Sequence, residues 1–266
     1  MFVTEHKGLT FYRFDNLSRQ AGVDTFVTTR TTATGDDFNL GLYAGGDTSV
    51  IEANLVRLCE ALDLPRTHLV FPQQTHGNAV AVVDDKLLSM PRHEQQAALY
   101  SKDALVTDVP GIALAVATAD CVPILLYDPD TRAIAAIHAG WRGTVAKIVS
   151  ATMATMTRCY GTDPARLYAA IAPCIGVASY EVGDDVTARF IEAGFDDKSI
   201  TVRNTVTGKA HIDLAAANAD LLLQCGVELS HIEVCGIDTF TASDTFYSVR
   251  ALGATTGRFL TGIRMR

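Results

Sequence analysis

The runs "IALAVAT", "VPILLYD" and "AIAAI", within residues 112–137, are apolar, short and free of polar alternation. A strand with one wet face alternates apolar and polar residues, so unbroken apolar runs of this length indicate strands covered on both faces. "HLVF", "AVAVV" and "DALVT" add further β-like runs upstream. The chain must therefore wrap a central sheet in other layers, and 266 residues that are 48% hydrophobic supply the material. The last of the three runs ends abruptly in "HAGWRG", residues 138–143, where an imidazole, an indole and a guanidinium stand among small residues. Small residues let other groups approach the backbone, and those three side chains suit metals, flat rings and anions.

The rest of the chain supplies the cover. "VDTFVTT" (23–29) alternates as a strand and is followed by a Gly-, Asp- and Thr-rich loop, "TTATGDDFNLGLYAGGD". "TSVIEANLVRLCEAL" predicts a helix capped by Thr48 or Ser49, with Ile51, Leu55, Leu58 and Leu62 on one face. Val145, Ile148, Val149, Met153 and Met156 predict a second helix, starting at a Thr144 cap directly after the 133–137 strand. "YEVGDDVTARFIEAG" and "DLAAANADLLLQCGV" read as helices, the latter stopped by Gly226. "RLYAAIA", "HIEVCG" and "TFYSV" read as strands. No linker, repeat or low-complexity segment divides the chain, so one domain over 1–266 is expected. Neighbouring strands mixed with strand–helix steps give an α+β fold with mixed sheets flanked by helices.

Charge and composition remove several function classes. The net charge is −8 and no run of Lys or Arg exists, which excludes the electrostatic footprint of a nucleic-acid binder. A few placed arginines still suffice for a small anion. The N-terminus has no apolar signal core, and "GIALAVATADCVPILLY" is broken by Asp120 and Pro123, so no membrane partner and a cytosolic protein are expected. The six cysteines form no C-x-x-C pair, which argues against a redox dithiol or disulfide framework.

Three small-residue turns carry donors: "QQTHGNAV" with His76, "VATADCVPILL" with Cys121 and "AAIHAGWRG" with His138. Two imidazoles and a thiolate suit a zinc site with a fourth position left for water. The separations, 45 positions from His76 to Cys121 and 17 more to His138, make no local motif. Taken singly, each residue has a plainer role as a satisfied histidine or a buried thiol. A competing arrangement makes Cys121 a nucleophile with His138 as its base. Asp120 is a candidate ligand-orienting or proton-moving group, or else a turn aspartate. Arg142 and Trp141, beside Gly140, are candidates for an anion and a flat ring, and Arg30, Asn39 and Arg250 sit in loops where binding groups are often mounted. The turn "GLYAGGD" lacks both the Lys of a phosphate loop and the G-x-G-x-x-G spacing.

The turns "QTHG", "TADCVPILL" and "HAGWRG", followed by "APCIG", "YEVG", "DLAAAN" and "FYSVR...TGR", together resemble the YfiH-like family over about Phe26 to Gly262. That family has been described both as laccase-domain polyphenol oxidases and as purine nucleoside phosphorylases. The resemblance implies a single layered α/β/β/α domain related to certain Cys-His toxin deamidases, with His76, Cys121 and His138 as the ligands of a metal, normally zinc. It implies phosphorolysis of adenosine, inosine, guanosine and methylthioadenosine, with adenosine deamination as a second activity. The older description implies copper and phenol oxidation, and a cell-wall (peptidoglycan) quality-control role has also been attached to the family. The chain departs from the family pattern at Tyr43, where a histidine is usual, at Asp238-Thr239, usually Cys-Thr, and at Arg250-Ala251, usually paired arginines.

Zinc lowers the pKa of a coordinated water to about 7, which suits deamination at C6 of adenine. Phosphorolysis instead needs a phosphate near C1′, for which Arg142, Arg30 and Arg250 are the candidates, with Trp141 or Phe38 stacking on the base. A multicopper oxidase needs a cluster of further histidines, and seven scattered ones supply it poorly. A monomer acting on purine nucleosides and inorganic phosphate is the expectation.

Overall fold

The computed structural model describes residues 1–266. The apolar runs form two mixed six-stranded sheets. The first runs, from edge to edge, Phe2–His6, Leu9–Arg13, Val23–Thr28, Phe259–Met265, Ala113–Thr118 and Leu69–Val70. The second runs Ile232–Val234, Tyr168–Ile171, Val122–Asp128, Ala133–Ala139, Ala104–Thr107 and Val80–Val82. A small third sheet joins Glu181–Val182, Ala210–Ile212 and Thr201–Arg203. No helix is long and apolar enough to cross a membrane.

Side-chain alternation within the buried strands assigns their faces. In Ala133–Ala139, Ala133, Ala135, Ile137 and Ala139 pack with Ile148, Val149, Met153, Met156 and Leu221 of the helices over the second sheet. Ile134 and Ala136 face the other way and meet Leu114, Val116, Phe259 and Ile263 of the first sheet. The outer face of the first sheet, with Phe11, Phe26, Ala113, Ala115 and Leu260, is covered by Ile51, Leu55 and Leu58 of helix Thr48–Ala61. The layers are thus helix, sheet, sheet, helix, as an α+β fold with mixed sheets requires. Both faces of the central strands are dry, which explains why "AIAAI" shows no polar alternation.

Several local expectations are corrected. Helix Thr48–Ala61 is capped by Asp47, whose carboxylate accepts from Ser49 N, and not by Thr48 or Ser49. The helix after the 133–139 strand starts at Trp141, not at a Thr144 cap, and Thr144 Oγ1 donates back to Gly140 O. It ends at Val145, and helix Ile148–Tyr160 restarts after Lys147, which sits in the left-handed region with φ 60°. "TFYSV" is a turn leading into helix Val249–Leu252 and not a strand, because Phe246 and Tyr247 fill the intersheet core from a loop. The N-terminal hairpin and the long C-terminal strand Phe259–Met265 escaped the sequence pattern; the latter is interrupted by Thr261 and Gly262.

Gly262 has a specific packing reason. It pairs with Phe26 across the sheet, and a Cβ there would lie 2.2 Å from the Phe26 ring. Gly262→Ala is expected to destabilise the fold by about 1–3 kcal/mol through overpacking, measured by urea unfolding. An unchanged midpoint would show that the ring moves freely.

Candidate metal centre

Strand pairing gathers the donors. Strand Ala133–Ala139 runs antiparallel to both of its neighbours, with Val122 opposite Ala139 and Ala104 opposite Ile137. Strand Val80–Val82 lies parallel to Ala104–Thr107, with Val80 opposite Ala104. The starts of three strands and the end of the fourth therefore fall at one end of the second sheet. The residues just outside them, His76, Asp103 and Cys121, meet His138 there. By the two-residue period of its strand, His138 lies on the face of Ile134 and Ala136, toward the first sheet.

The ligand atoms of His76, Cys121 and His138 all lie within 4.8 Å of one another. The two imidazoles meet edge to face at 4.8 Å between ring centroids. Gly140 closes the cluster: a Cβ at this position would stand 2.9 Å from His76 Cδ2 and 3.0 Å from Cys121 Sγ. Gly143 likewise lets the backbone approach, with Gly77 O 2.9 Å from where a Cβ would be. His76 and Asp120 adopt left-handed backbone conformations, φ 64° and 92°. Such conformations are uncommon for residues with a Cβ and cluster at functional sites.

A carboxylate that the sequence did not flag holds the centre together. Asp103 is fully buried and accepts from the backbone N–H of Thr75 at 3.3 Å and of His76 and Gly77 at 2.8 Å each. The same carboxylate lies 2.8 Å from His138 Nδ1, while His138 N donates to Asp103 O at 2.7 Å. With Nδ1 engaged, Nε2 is the nitrogen left for a ligand. Burial raises the Asp103 carboxyl, but the His138 and backbone donors outweigh it and hold it below the usual carboxylate range. Burial also raises the Cys121 thiol, yet the two imidazoles win and bring it down to about 6. Burial lowers His138, and the Cys121 and Asp103 charges overcome it, raising it to about 9. The donor set, the close approach that Gly140 allows and the Asp103 brace fit a small thiophilic cation such as zinc.

The centre opens into a cleft of about 440 Å³, within the roughly 300–1,000 Å³ typical of small-molecule sites. His76, Asp120, Cys121, His138 and Arg250 line it, as do Tyr43, Phe71, Tyr180 and Arg258. Asp120 has both carboxylate oxygens engaged, by Thr239 Oγ1 at 2.8 Å and Arg250 N at 2.7 Å. Arg250 extends over the Tyr180 ring at 5.4 Å and donates to Ser179 O and Glu181 O.

The other sequence candidates fall outside the cleft lining. Arg142 is exposed and stacked 4.3 Å over Trp141, and Trp141, the first residue of its helix, packs on the helical core. Arg30 lies over Tyr247 at 5.5 Å and donates to Ser243 O. Phe38 is buried beneath the first sheet. Asn39 accepts from Gly41 N and Arg258 N, both at 2.9 Å, so it shapes the cleft wall without facing the cleft. Asp238 accepts from Gly176 N and Ser179 Oγ and braces a neighbouring loop. The one hint of Arg258 was its place in the "TGR" stretch.

Two measurements test the centre. Asp103→Asn is expected to weaken zinc binding about 10- to 100-fold in competition with a chromogenic chelator. Unchanged affinity would remove Asp103 from the centre. In the metal-free chain with Cys159→Ser and Cys225→Ser, iodoacetamide alkylation of Cys121 should rise with pH through a midpoint near 6, because the thiolate is the nucleophile and protonation below that pH removes it. A midpoint near 9 would show that the imidazoles do not hold the thiolate.

A family model described as multi-copper polyphenol oxidoreductase laccase matches residues 18–266. The purine nucleoside phosphorylase of Bacteroides thetaiotaomicron is 40% identical over 265 residues, covering 98% of this chain and 97% of that one. Adenosine deaminase RL5, from an unknown prokaryotic organism, is 42% identical over 247 residues, covering 91% and 94%. The crystal structure of Bacillus licheniformis YfiH matches with a TM-score of 0.85 at 25% identity, over 99% of both chains. With its fold, its donor turns and this coverage, the chain belongs to the YfiH-like family, the one described as multi-copper polyphenol oxidoreductase laccase.

Proposed function

We propose that this chain is a zinc-dependent enzyme of purine nucleosides. In this reading it cleaves adenosine, inosine, guanosine and methylthioadenosine with phosphate, and deaminates adenosine to inosine. The observation that carries the reading is the meeting of His76, Cys121 and His138 at a cleft large enough for a nucleoside. The names of the two similar proteins, a purine nucleoside phosphorylase and an adenosine deaminase, support it. Zinc is favoured over copper because neither reaction transfers electrons and the donors suit zinc. His76, Cys121 and His138 are the one group of three or more potential donors, whereas a multicopper site needs additional histidine clusters.

In phosphorolysis a phosphate oxygen bonds to C1′ while the C1′–N9 bond breaks, and the bonding pair leaves on the purine, which takes up a proton. The products are free base and sugar 1-phosphate. In deamination the oxygen of water bonds to C6, the C6–N bond breaks and ammonia leaves. His76, Cys121 and His138 would hold the metal, which would supply Lewis acidity for activating water or stabilising developing negative charge. Asp103 fixes the His138 ring and the His76 loop. Asp120 ties Thr239 to the Arg250 backbone and so sets the cleft wall. Tyr43 and Phe71, with ring centroids 6.2 Å apart, offer aromatic surface to the base in place of Trp141 and Phe38.

One arrangement favours a second reading: Asp103, His138 and Cys121 form a carboxylate–imidazole–thiolate relay, as a cysteine hydrolase would need. That enzyme would act without metal and form a covalent adduct on Cys121.

Chromatography of adenosine incubated with the zinc-loaded chain separates these readings. Adenine is expected only when phosphate is present, and inosine with or without it. Chelation and His138→Ala should each abolish both products. Absence of both products from the zinc-loaded chain overturns the reading. More copper than zinc in protein purified without added metal, with phenol oxidation surviving zinc loading, overturns the choice of metal.

A further inference from the structure

We infer that Arg258 and Arg250 form the anion subsite of the cleft and hold inorganic phosphate there. This rests on the phosphorylase reading for its role in turnover, though not for its binding chemistry. Of the chain's arginines, only these two line the cleft. Arg13, Arg66, Arg92 and Arg166 are matched by carboxylates within 3.3 Å, whereas neither Arg250 nor Arg258 forms an ion pair.

Arg258 carries most of the argument. Its backbone is pinned by Asn39 Oδ1 at 2.9 Å, and its stem lies against Gly41, where a Cβ would come 2.8 Å from Arg258 Cγ. Its Nη1 donates to Thr256 O at 2.6 Å and Gly257 O at 2.9 Å, which fixes the plane of the guanidinium. The hydrogens on Nε and Nη2 remain, and such a planar fork matches two oxygens of a phosphate. Burial lowers the proton affinity of Arg258, against the pull of Cys121 and Asp120, so the cation is partly stripped of water without an ion pair in return. The two anions nearby are committed elsewhere: Asp120 to Thr239 and the Arg250 backbone, and Cys121 to the paired imidazoles. A ligand anion is what completes this balance. Arg250 adds a second cation, oriented by Ser179 O, Glu181 O and the Tyr180 ring.

The subsite gives the two proposed reactions different dependences. Phosphorolysis needs the arginines, since phosphate supplies the oxygen that bonds to C1′. Deamination takes its oxygen from water and does not. Arg258→Met in the zinc-loaded chain is expected to raise the KM for phosphate at least tenfold and to lower phosphorolysis well beyond any loss of inosine formation in phosphate-free buffer. Arg258→Lys, which keeps the charge and loses the fork, should lie between the two. Arg142→Met should change neither quantity. Calorimetric binding of inorganic phosphate gives a readout independent of turnover: the wild-type chain should bind it, and Arg258→Met should bind at least tenfold more weakly. An unchanged phosphate KM, a parallel loss of both activities in Arg258→Met and Arg258→Lys, or a wild-type chain that does not bind phosphate overturns the subsite. Phosphate binding that depends on Arg258, in a chain that makes neither adenine nor inosine, would overturn the phosphorylase reading and leave the subsite standing.

Discussion

The centre depends on one buried carboxylate. Asp103 sits without solvent contact at the start of a central strand, an expensive place for a charge unless donors surround it. Three consecutive backbone N–H groups, from Thr75 to Gly77, and the His138 imidazole provide those donors. The loop bearing His76 is thereby folded around the same group that orients His138. One charge thus positions two of the three donors, and the imidazoles in turn hold Cys121 as thiolate. Removing the carboxylate would leave backbone donors buried and unpaired as well as a histidine unsupported.

Around this core the molecule divides its labour between sheet and loops. The donors stand at the end of the second sheet, where strand pairing fixes backbone positions to within the tolerance a metal site needs. The cleft walls come from distant segments: Tyr43 in the loop before helix Thr48–Ala61, Tyr180 beside the small third sheet, and Arg250 and Arg258 near the C-terminus. Asn39 and Asp120 hold these walls by hydrogen bonds to backbone N–H groups and present little to a substrate. Loops mounted on a rigid scaffold commonly carry specificity. Of the departures from the family pattern, Tyr43 lies on this wall and Ala251 follows a residue that does, while all three donors are retained.

What was legible in the sequence was what depends on local pattern. Unalternating apolar runs announced a doubly covered sheet, and His76, Cys121 and His138 stood out because each ends or begins such a run beside a small residue. Arg142 and Trp141 stand out for the same reason, yet neither is in the cleft lining. Arg142, the second residue of the helix that starts at Trp141, is exposed and stacks on Trp141. Asp103 gave no signal, since an aspartate before "ALVT" resembles any turn residue until antiparallel pairing sets it beside His138. Arg258 gives equally little signal: only the fold brings it into the lining of the cleft that His76, Cys121 and His138 share.

By itself, the sequence determined the dry two-faced sheet, the helices that cover it and the chemical identity of the three donors. These follow from periodicity and residue type, which act over a few neighbouring positions. Only the tertiary structure decided that the donors meet, that Asp103 braces them, and that Arg250 and Arg258, in place of Arg142 and Arg30, face the cleft. Those outcomes depend on strand register and helix phase between segments far apart in the chain, where a shift of one residue reverses the faces of a strand and turns a helical side chain by about 100°.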